Sequence, residues 1–350
     1  MKKNTSLEQV KDLTLYTGTF GRAKCTCHCI GCTQGGLIKQ KEPYQGNLEQ
    51  IKKIIDKLPN LENAYLLGNP DISVDTEFCN KAAKEFVKAN KYVMFSTSGY
   101  GGEKTIKKLV SGINPSSIKY VSYSVDTLND EKIHYLKGTT KISLKDIDSS
   151  IKYCIKNGIP VKIQPTLWEY NQDDYKEIIE YYYNKFGIKW YTFHAGSFEA
   201  LKNREVPLKH VDPIKWKEIV EDIQKISKEK KLKIVLPRIF LNGEEMKECE
   251  KNLHTYCANG GSGLQIWLEK DIIRCTYCPL LAELHPEFTF SIDEEVTHFI
   301  QTDGVCAVRQ EALDKNLVAK SVNGKGTTFK VDNNNLYSVC RFYSIREQYW

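Results

Sequence analysis

The chain has 350 residues, 41% of them aliphatic, aromatic or cysteine and 27% charged. That is enough apolar material for one large α/β domain with an extension, and too little length for a second complete domain. The net charge of +6 is spread over a lysine-rich surface, and runs such as Lys228-Glu-Lys-Lys-Leu-Lys233 read as a solvated face, so no nucleic-acid partner is expected. No apolar stretch approaches the roughly 20 residues that cross a bilayer, and the first residues lack the core of a signal peptide, so a cytoplasmic protein without a membrane partner is expected. Twelve cysteines in such a chain argue for metal sites and buried thiols rather than disulfides.

In chain order, the alternating run Asp12-Leu-Thr-Leu-Tyr-Thr17 reads as a first strand, and a cysteine-rich loop follows it. Asn47 can cap a helix that places Leu48, Ile51, Ile54, Ile55 and Leu58 on one face. Ala64-Tyr-Leu-Leu67 reads as a short buried strand, residues 74–90 as a helix with Phe78, Ala82, Phe86 and Val87 at helical spacing, and residues 92–96 as the next strand. The alternation continues: helix 104–110 and strand 120–125, helix 144–157 and strand 161–164, helix 173–186 and strand 190–194, helix 213–227 and strand 232–236. Strands alternating with helices of this length predict βαβ units with right-handed crossovers and a parallel sheet. Six or seven such units suit an open or closed α/β barrel.

The loop after the first strand carries Cys25, Cys29 and Cys32 in a Cys-x3-Cys-x2-Cys pattern, with Cys27 and His28 between them. Three thiolates this close can hold three irons of a 4Fe-4S cluster and leave the fourth open, which argues for substrate binding at the metal rather than electron transfer alone. A zinc site is the alternative. It would have to close a tetrahedron from Cys25, Cys27, Cys29 and Cys32 within one short loop, whereas structural zinc sites draw on two separated ligand pairs.

Parallel α/β sheets bind ligands at the carboxyl ends of their strands, and the polar and glycine-rich residues fall there. Strand two ends in Gly68-Asn69-Pro70-Asp71, which otherwise reads as an Asn-Pro turn. Strand three ends in Ser96-Thr-Ser98-Gly99, where the glycine permits close approach of a ligand. Strand four ends in Tyr123-Ser124-Val-Asp126, followed by Glu131, His134 and Gly138. Asp126 alternatively caps the following turn. Gln164 and Thr166 end strand five and His194 ends strand six, where an imidazole suits proton handling near neutrality.

The Cys25, Cys29, Cys32 spacing after a first strand resembles the radical S-adenosylmethionine (radical SAM) superfamily. The resemblance implies an α/β fold: a partial (β/α)6-type barrel over residues 1–237 with a small α+β C-terminal extension over residues 238–350. It implies a 4Fe-4S cluster on Cys25, Cys29 and Cys32, and an open iron that chelates S-adenosylmethionine and cleaves it reductively to a 5′-deoxyadenosyl radical. Gly68 and Asn69 occupy the place of a Gly-Gly-Glu-like motif, though the residues differ. Ser98 lies in a stretch similar to Thr-Asn-Gly, and Ser124 and Asp126 in one similar to Ser-Leu-Asp-Gly. With Gln164 these are the implied cofactor-binding residues. Gly31 stands where relatives often carry a bulky residue, which leaves Ile30 to pack near the cofactor. A reducing setting and an electron donor such as flavodoxin or ferredoxin are also implied.

Beyond Pro237 the pattern changes. Tyr256-Cys257-Ala-Asn-Gly-Gly-Ser-Gly263, then residues 264–268 and 272–275, read as a β-hairpin bracketed by Cys257, Cys275 and Cys278. This resembles the opening of SPASM and twitch extensions, which implies an auxiliary iron-sulfur cluster drawing on Cys257, Cys275, Cys278 and Cys306. The rival reading keeps these thiols free, with Cys257 donating a hydrogen atom or proton to a substrate radical; His194, at the barrel mouth, is the other catalytic candidate. Cys79 and Cys154 fall on apolar helix faces and are expected in the core. Within the superfamily the chain resembles queuine lyases, which implies a lyase acting on a small-molecule deazapurine base. The alternatives are a peptide-modifying enzyme with a reduced extension and a non-catalytic iron-sulfur or zinc protein.

Overall fold

A computed structural model describes residues 4–5, 7–18, 25–32, 44–68, 71–196, 207–209, 211–237, 239–240, 263–276, 289–294, 298–299, 301–302, 305–306, 329–331, 336–338 and 344–348. The βα alternation is present: β1 Asp12–Tyr16, α1 Leu48–Lys57, β2 Asn63–Leu66, α2 Thr76–Lys88, β3 Tyr92–Thr97, α3 Gly102–Val110 and β4 Ile118–Tyr123. It continues with α4 Asp130–Lys137, α5 Leu144–Lys156, β5 Val161–Ile163, α6 Tyr175–Phe186, β6 Trp190–Thr192, α7 Pro213–Lys230 and β7 Lys233–Pro237. Four more strands matter to the main sheet: β8 Gly263–Leu268, β9 Ile273–Thr276, β10 Phe290–Ser291 and β11 Ser344–Gln348.

Asn47 caps α1 as its side chain predicts. Its Oδ1 accepts from the Gln50 N–H at 3.0 Å, and Gln50 Oε1 accepts from the Asn47 N–H at 3.1 Å, which satisfies two donors the helix cannot pair internally. Helix α4 is the element that the apolar pattern did not reveal. It is short, and Asn129 starts it by accepting from the Lys132 N–H at 3.0 Å, while Gly138 ends it in a left-handed conformation at φ 60°.

Among the described residues the main sheet has eleven strands in the order β10-β9-β8-β1-β2-β3-β4-β5-β6-β7-β11. Strands β1 to β7 run parallel to one another, β8 adds parallel to β1 with Ile266 opposite Leu15, and β11 adds antiparallel to β7. The predicted hairpin forms between β8 and β9, with Ile266 opposite Cys275, and it lengthens the sheet at its β1 side.

One face of the sheet is apolar and fully covered: Leu13, Leu15, Ala64, Leu66, Val93, Phe95, Val121, Tyr123, Ile163, Tyr191, Ile234 and Leu236 are at most 1% exposed. Strand alternation sends the intervening residues to the opposite face. They are Thr14, Tyr65, Met94, Ser96, Tyr120, Ser122, Lys162, Trp190, Thr192 and Val235, a set mostly polar or aromatic. The sheet curls around this second face. Lys162 on β5 reaches to 5.5 Å from the ring of Tyr65 on β2, although three inter-strand steps, about 14 Å on a flat sheet, separate those strands. The described strand pairings do not close the curl, so the architecture is a partial barrel with a polar lumen. No helix among the described residues is long and apolar enough to cross a membrane.

Candidate active site

The cysteine loop is fastened to the end of α4. The His28 N–H donates to the Lys137 carbonyl at 2.9 Å and the Ile30 N–H to the Leu136 carbonyl at 3.0 Å, two acceptors that a helix terminus leaves without intrahelical partners. Gly138 makes the approach feasible: a Cβ there would lie 2.4 Å from the His28 carbonyl oxygen.

Within the loop, Cys25, Cys29 and Cys32 are half-buried and Cys27 is buried. The Cys27 thiol sits between those of Cys25 and Cys29. The hydrogen bond to Cys25 comes first among the influences that push it up to about 12. Cys29 is pushed well above the ordinary thiol value, first by its hydrogen bond to Cys27 and then by burial, against the pull of the Lys137 ammonium. These are soft sulfur donors on one anchored loop, and they fit an iron-sulfur cluster, whose binding would release their protons. Among the described residues, no group of three His, Cys, Asp or Glu side chains is arranged to hold a metal ion.

The other predicted residues line the adjoining strand ends. Gly68 turns the chain after β2 at φ 68°, where a Cβ would lie 2.7 Å from the Ile72 backbone. Asp71 ties two strand ends together: its Oδ1 accepts from the Ser73 N–H at 2.9 Å and its Oδ2 from the Ser98 N–H at 2.8 Å. Ser98 is buried beside the Cys27 thiol. Gln164 accepts from the Ser122 hydroxyl at 2.8 Å. His194 is half-buried, and its backbone pairs with Thr166 in a two-residue strand after β6 rather than in β6 itself. Asn69, Cys257 and Cys278 lie outside the described residues. Cys275 is fully buried and its thiol contacts the Ile273 carbonyl at 3.6 Å. Cys79 and Cys154 are fully buried, as their helix faces predict.

Asp126 does not cap the turn that follows it. Its Oδ2 accepts from Lys137 Nζ at 2.6 Å and its Oδ1 from the Thr166 N–H at 2.8 Å, while Lys137 also donates to Ser124 Oγ at 2.8 Å. Burial opposes the Lys137 charge, yet the Asp126 carboxylate and the nearby Cys29 hold its pKa above the ordinary lysine value. Sequence reasoning missed Lys137, because a lysine on a short polar helix reads as surface. The only available signal was its place just before Gly138, in the segment that follows Asp126.

Trp168 was also missed, and it accounts for Gly31. A Cβ on Gly31 would lie 2.3 Å from the indole, and so would one on Gly196, so the ring is clasped between two glycines from distant loops. Ile30 packs against the small cluster of Leu136, Trp168 and Leu208.

Residues 23–182 match the Radical SAM superfamily, whereas no curated protein sequence matches the chain. Among solved structures, SuiB of Streptococcus suis bound to S-adenosylmethionine is similar at a TM-score of 0.57 and 13% identity, covering 82% of this chain and 64% of that one. SuiB bound to the precursor peptide SuiA is similar at a TM-score of 0.55 and 13% identity, covering 85% and 64%. This chain thus spans 64% of the SuiB length, and at such identity the likeness is one of fold. The sequence match covers the cysteine loop and strands β2 to β5, so residues 23–182 are similar to the Radical SAM superfamily in the region that carries the three cysteines.

Proposed function

We propose that the chain is a radical SAM enzyme in which Cys25, Cys29 and Cys32 hold a 4Fe-4S cluster. S-adenosylmethionine then lies over the carboxyl ends of β2 to β5, against Ile30, Gly68, Asn69, Ser98, Ser124, Asp126 and Gln164. The observation that carries this reading is the fastening of the cysteine loop to α4 by the His28 and Ile30 N–H groups. It sets the thiols beside Ser98 and near the Lys137–Asp126 pair. When bound, the cluster and S-adenosylmethionine supply the electron and the 5′-deoxyadenosyl radical that abstracts a substrate hydrogen.

The chain's own residues hold that site in shape. Lys137 fixes the Ser124 and Asp126 side chains, the left-handed turn at Gly68 brings backbone close to the ligand space, and Trp168 closes the side of the cysteine loop. The polar lumen below the strand ends receives the substrate, and a flavodoxin or ferredoxin supplies the electron. Anaerobic incubation of the iron- and sulfide-reconstituted protein with S-adenosylmethionine and dithionite should yield 5′-deoxyadenosine. An intact cluster without that product would sink the proposal.

For the substrate, the resemblance to queuine lyases favours a deazapurine base. Asp126 is committed to Lys137 and the Thr166 N–H, and His194 lies half-buried at the strand end beside Thr166; both are candidates to meet such a base. A peptide substrate is the second reading, supported by the β8–β9 hairpin and by the fold shared with SuiB, which has been seen with a precursor peptide. Release of 7-aminomethyl-7-deazaguanine from queuine, read by mass spectrometry, decides for the first; turnover of a peptide alone decides for the second. The auxiliary cluster on Cys257, Cys275, Cys278 and Cys306 is tested by metal content, about eight irons per chain with it and about four without.

A further inference from the structure

Among the described residues two lysines are buried, and they are treated differently. Lys137, 4% exposed, has a carboxylate at 2.6 Å. Lys162, 6% exposed, stands in the middle of β5 facing the lumen, and its ammonium makes no ion pair or hydrogen bond with any described residue. Its neighbours are rings: Nζ lies 4.2 Å from the centroid of Tyr120, 5.5 Å from Tyr65 and 5.9 Å from Trp190. Such contacts stabilise an ammonium by about 0.5–2 kcal/mol, which falls short of the several kcal/mol that burying an ion costs. A second positive charge compounds the deficit, since Lys233 Nζ sits 3.7 Å from the same Trp190 ring. Burial and then Lys233 lower the Lys162 pKa to about 7.

Other unmet polar groups on this face have the same sense. The Tyr65 hydroxyl is buried and approaches Ser96 and Ser122 without reaching a hydrogen bond with either. The Trp267 indole N–H, beside Tyr16 at the β8 edge of the lumen, is buried without an acceptor. An ammonium, a phenol and an indole can each donate, so these three unmet groups are matched by an acceptor that a ligand brings, and beside the ammonium a negatively charged one is favoured.

We infer that the lumen binds the carboxylate of an acidic substrate at Lys162, with Tyr65, Tyr120 and Trp190 as the walls of that subsite. This rests on the reading of the lumen as the substrate site. Lys162 lies two residues below Gln164 on the same face of the chain, about 7 Å. A substrate anchored there by its acid group therefore presents its far end to Ser124 and Asp126 at the strand ends. The carboxylate belongs either to a small aromatic acid or to an acidic side chain of a peptide.

The test needs neither turnover nor reductant. The full-length reconstituted protein is reductively methylated with formaldehyde, and labelling at Lys162 is followed by mass spectrometry, with exposed Lys104 as the internal reference. Probes are 3-phenylpropionate against 3-phenylpropionamide, and acetyl-Gly-Glu-Gly-amide against its Gln counterpart. Either acid should slow labelling at Lys162 about tenfold while its amide does not, because a charge-assisted bond is much stronger than a neutral one. Which acid protects identifies the source. Calorimetry should show 3-phenylpropionate or the acidic peptide binding the wild type and failing to bind Lys162→Met. Equal effects of acid and amide, no effect of either acid, or a Lys162 that formaldehyde never reaches would each overturn the inference. Protection at Lys162 without 5′-deoxyadenosine formation would instead retain the anion site and remove the radical SAM reading.

Discussion

Lys137 Nζ lies 2.6 Å from Asp126 Oδ2, with both side chains buried, at the point where α4 meets the cysteine loop. The pair joins the helix end that anchors the loop to the strand end that carries Ser124. Lys137→Met should therefore cost about 3–5 kcal/mol, because it leaves a buried carboxylate without its counter-charge. Asp126→Asn on that background should recover more than half of the loss, since the amide oxygen still accepts from the Thr166 N–H. Urea unfolding of the two single variants and the double variant measures the coupling. Additive losses would mean that the two side chains do not act as a pair.

The clasp of Trp168 between Gly31 and Gly196 predicts a steric penalty. Gly31→Ala places a methyl 2.3 Å from the indole, and overpacking of this kind costs about 1–3 kcal/mol. Trp168→Leu on the same background should restore part of the loss by making room. Thermal unfolding of the single and double variants is the measurement, and a Gly31→Ala protein as stable as the wild type would refute the clasp.

Cys27 stands among the loop thiols but is buried against Ser98 and the core. If Cys25, Cys29 and Cys32 are the ligands, Cys27→Ala retains the full iron content after anaerobic reconstitution, whereas Cys32→Ala loses the cluster. Iron and sulfide assays with electron paramagnetic resonance of the reduced protein separate the cases. Loss of iron in Cys27→Ala with retention in Cys32→Ala would reassign the third ligand.

Lys162 predicts a pH-dependent stability difference. Its pKa falls from the ordinary 10.5 to about 7 in the folded chain. Between those values the unfolded chain holds a proton that the folded chain lacks, so stability rises with pH across that window, and below pH 7 the full penalty of the buried ammonium applies. Lys162→Met removes the penalty. It should stabilise the protein by roughly 2 kcal/mol at pH 6, less than the full shift implies because the ring contacts of the ammonium are lost with it, with the gain fading towards pH 10. Denaturant midpoints at both pH values check this, and a gain that does not vary with pH would show that Lys162 carries no penalty.

Much of the fold was legible from local signals. The Asn47 cap, the helical spacing of Phe78, Ala82 and Phe86, and the short apolar strands each report a pairing or a buried face within a few residues, and each appears where its pattern places it. Strand ends were less legible. Strand β4 stops at Tyr123 and β6 at Thr192, because the residues beyond turn to the lumen mouth and bond to other strand ends.

By itself the sequence determined the alternation of strands and helices, the apolar face that the helices cover, and the grouping of the cysteines on one loop, because periodicity and spacing are properties of neighbours along the chain. Only the tertiary structure decided that Lys137 neutralises Asp126, that Trp168 occupies the space left by Gly31, and that Lys162 faces aromatic rings without a counter-ion. Those relationships join residues brought together by the curl of the sheet. A lysine in a sequence looks the same whether water, a carboxylate or aromatic rings surround its ammonium, and only the folded chain sets which of these it meets.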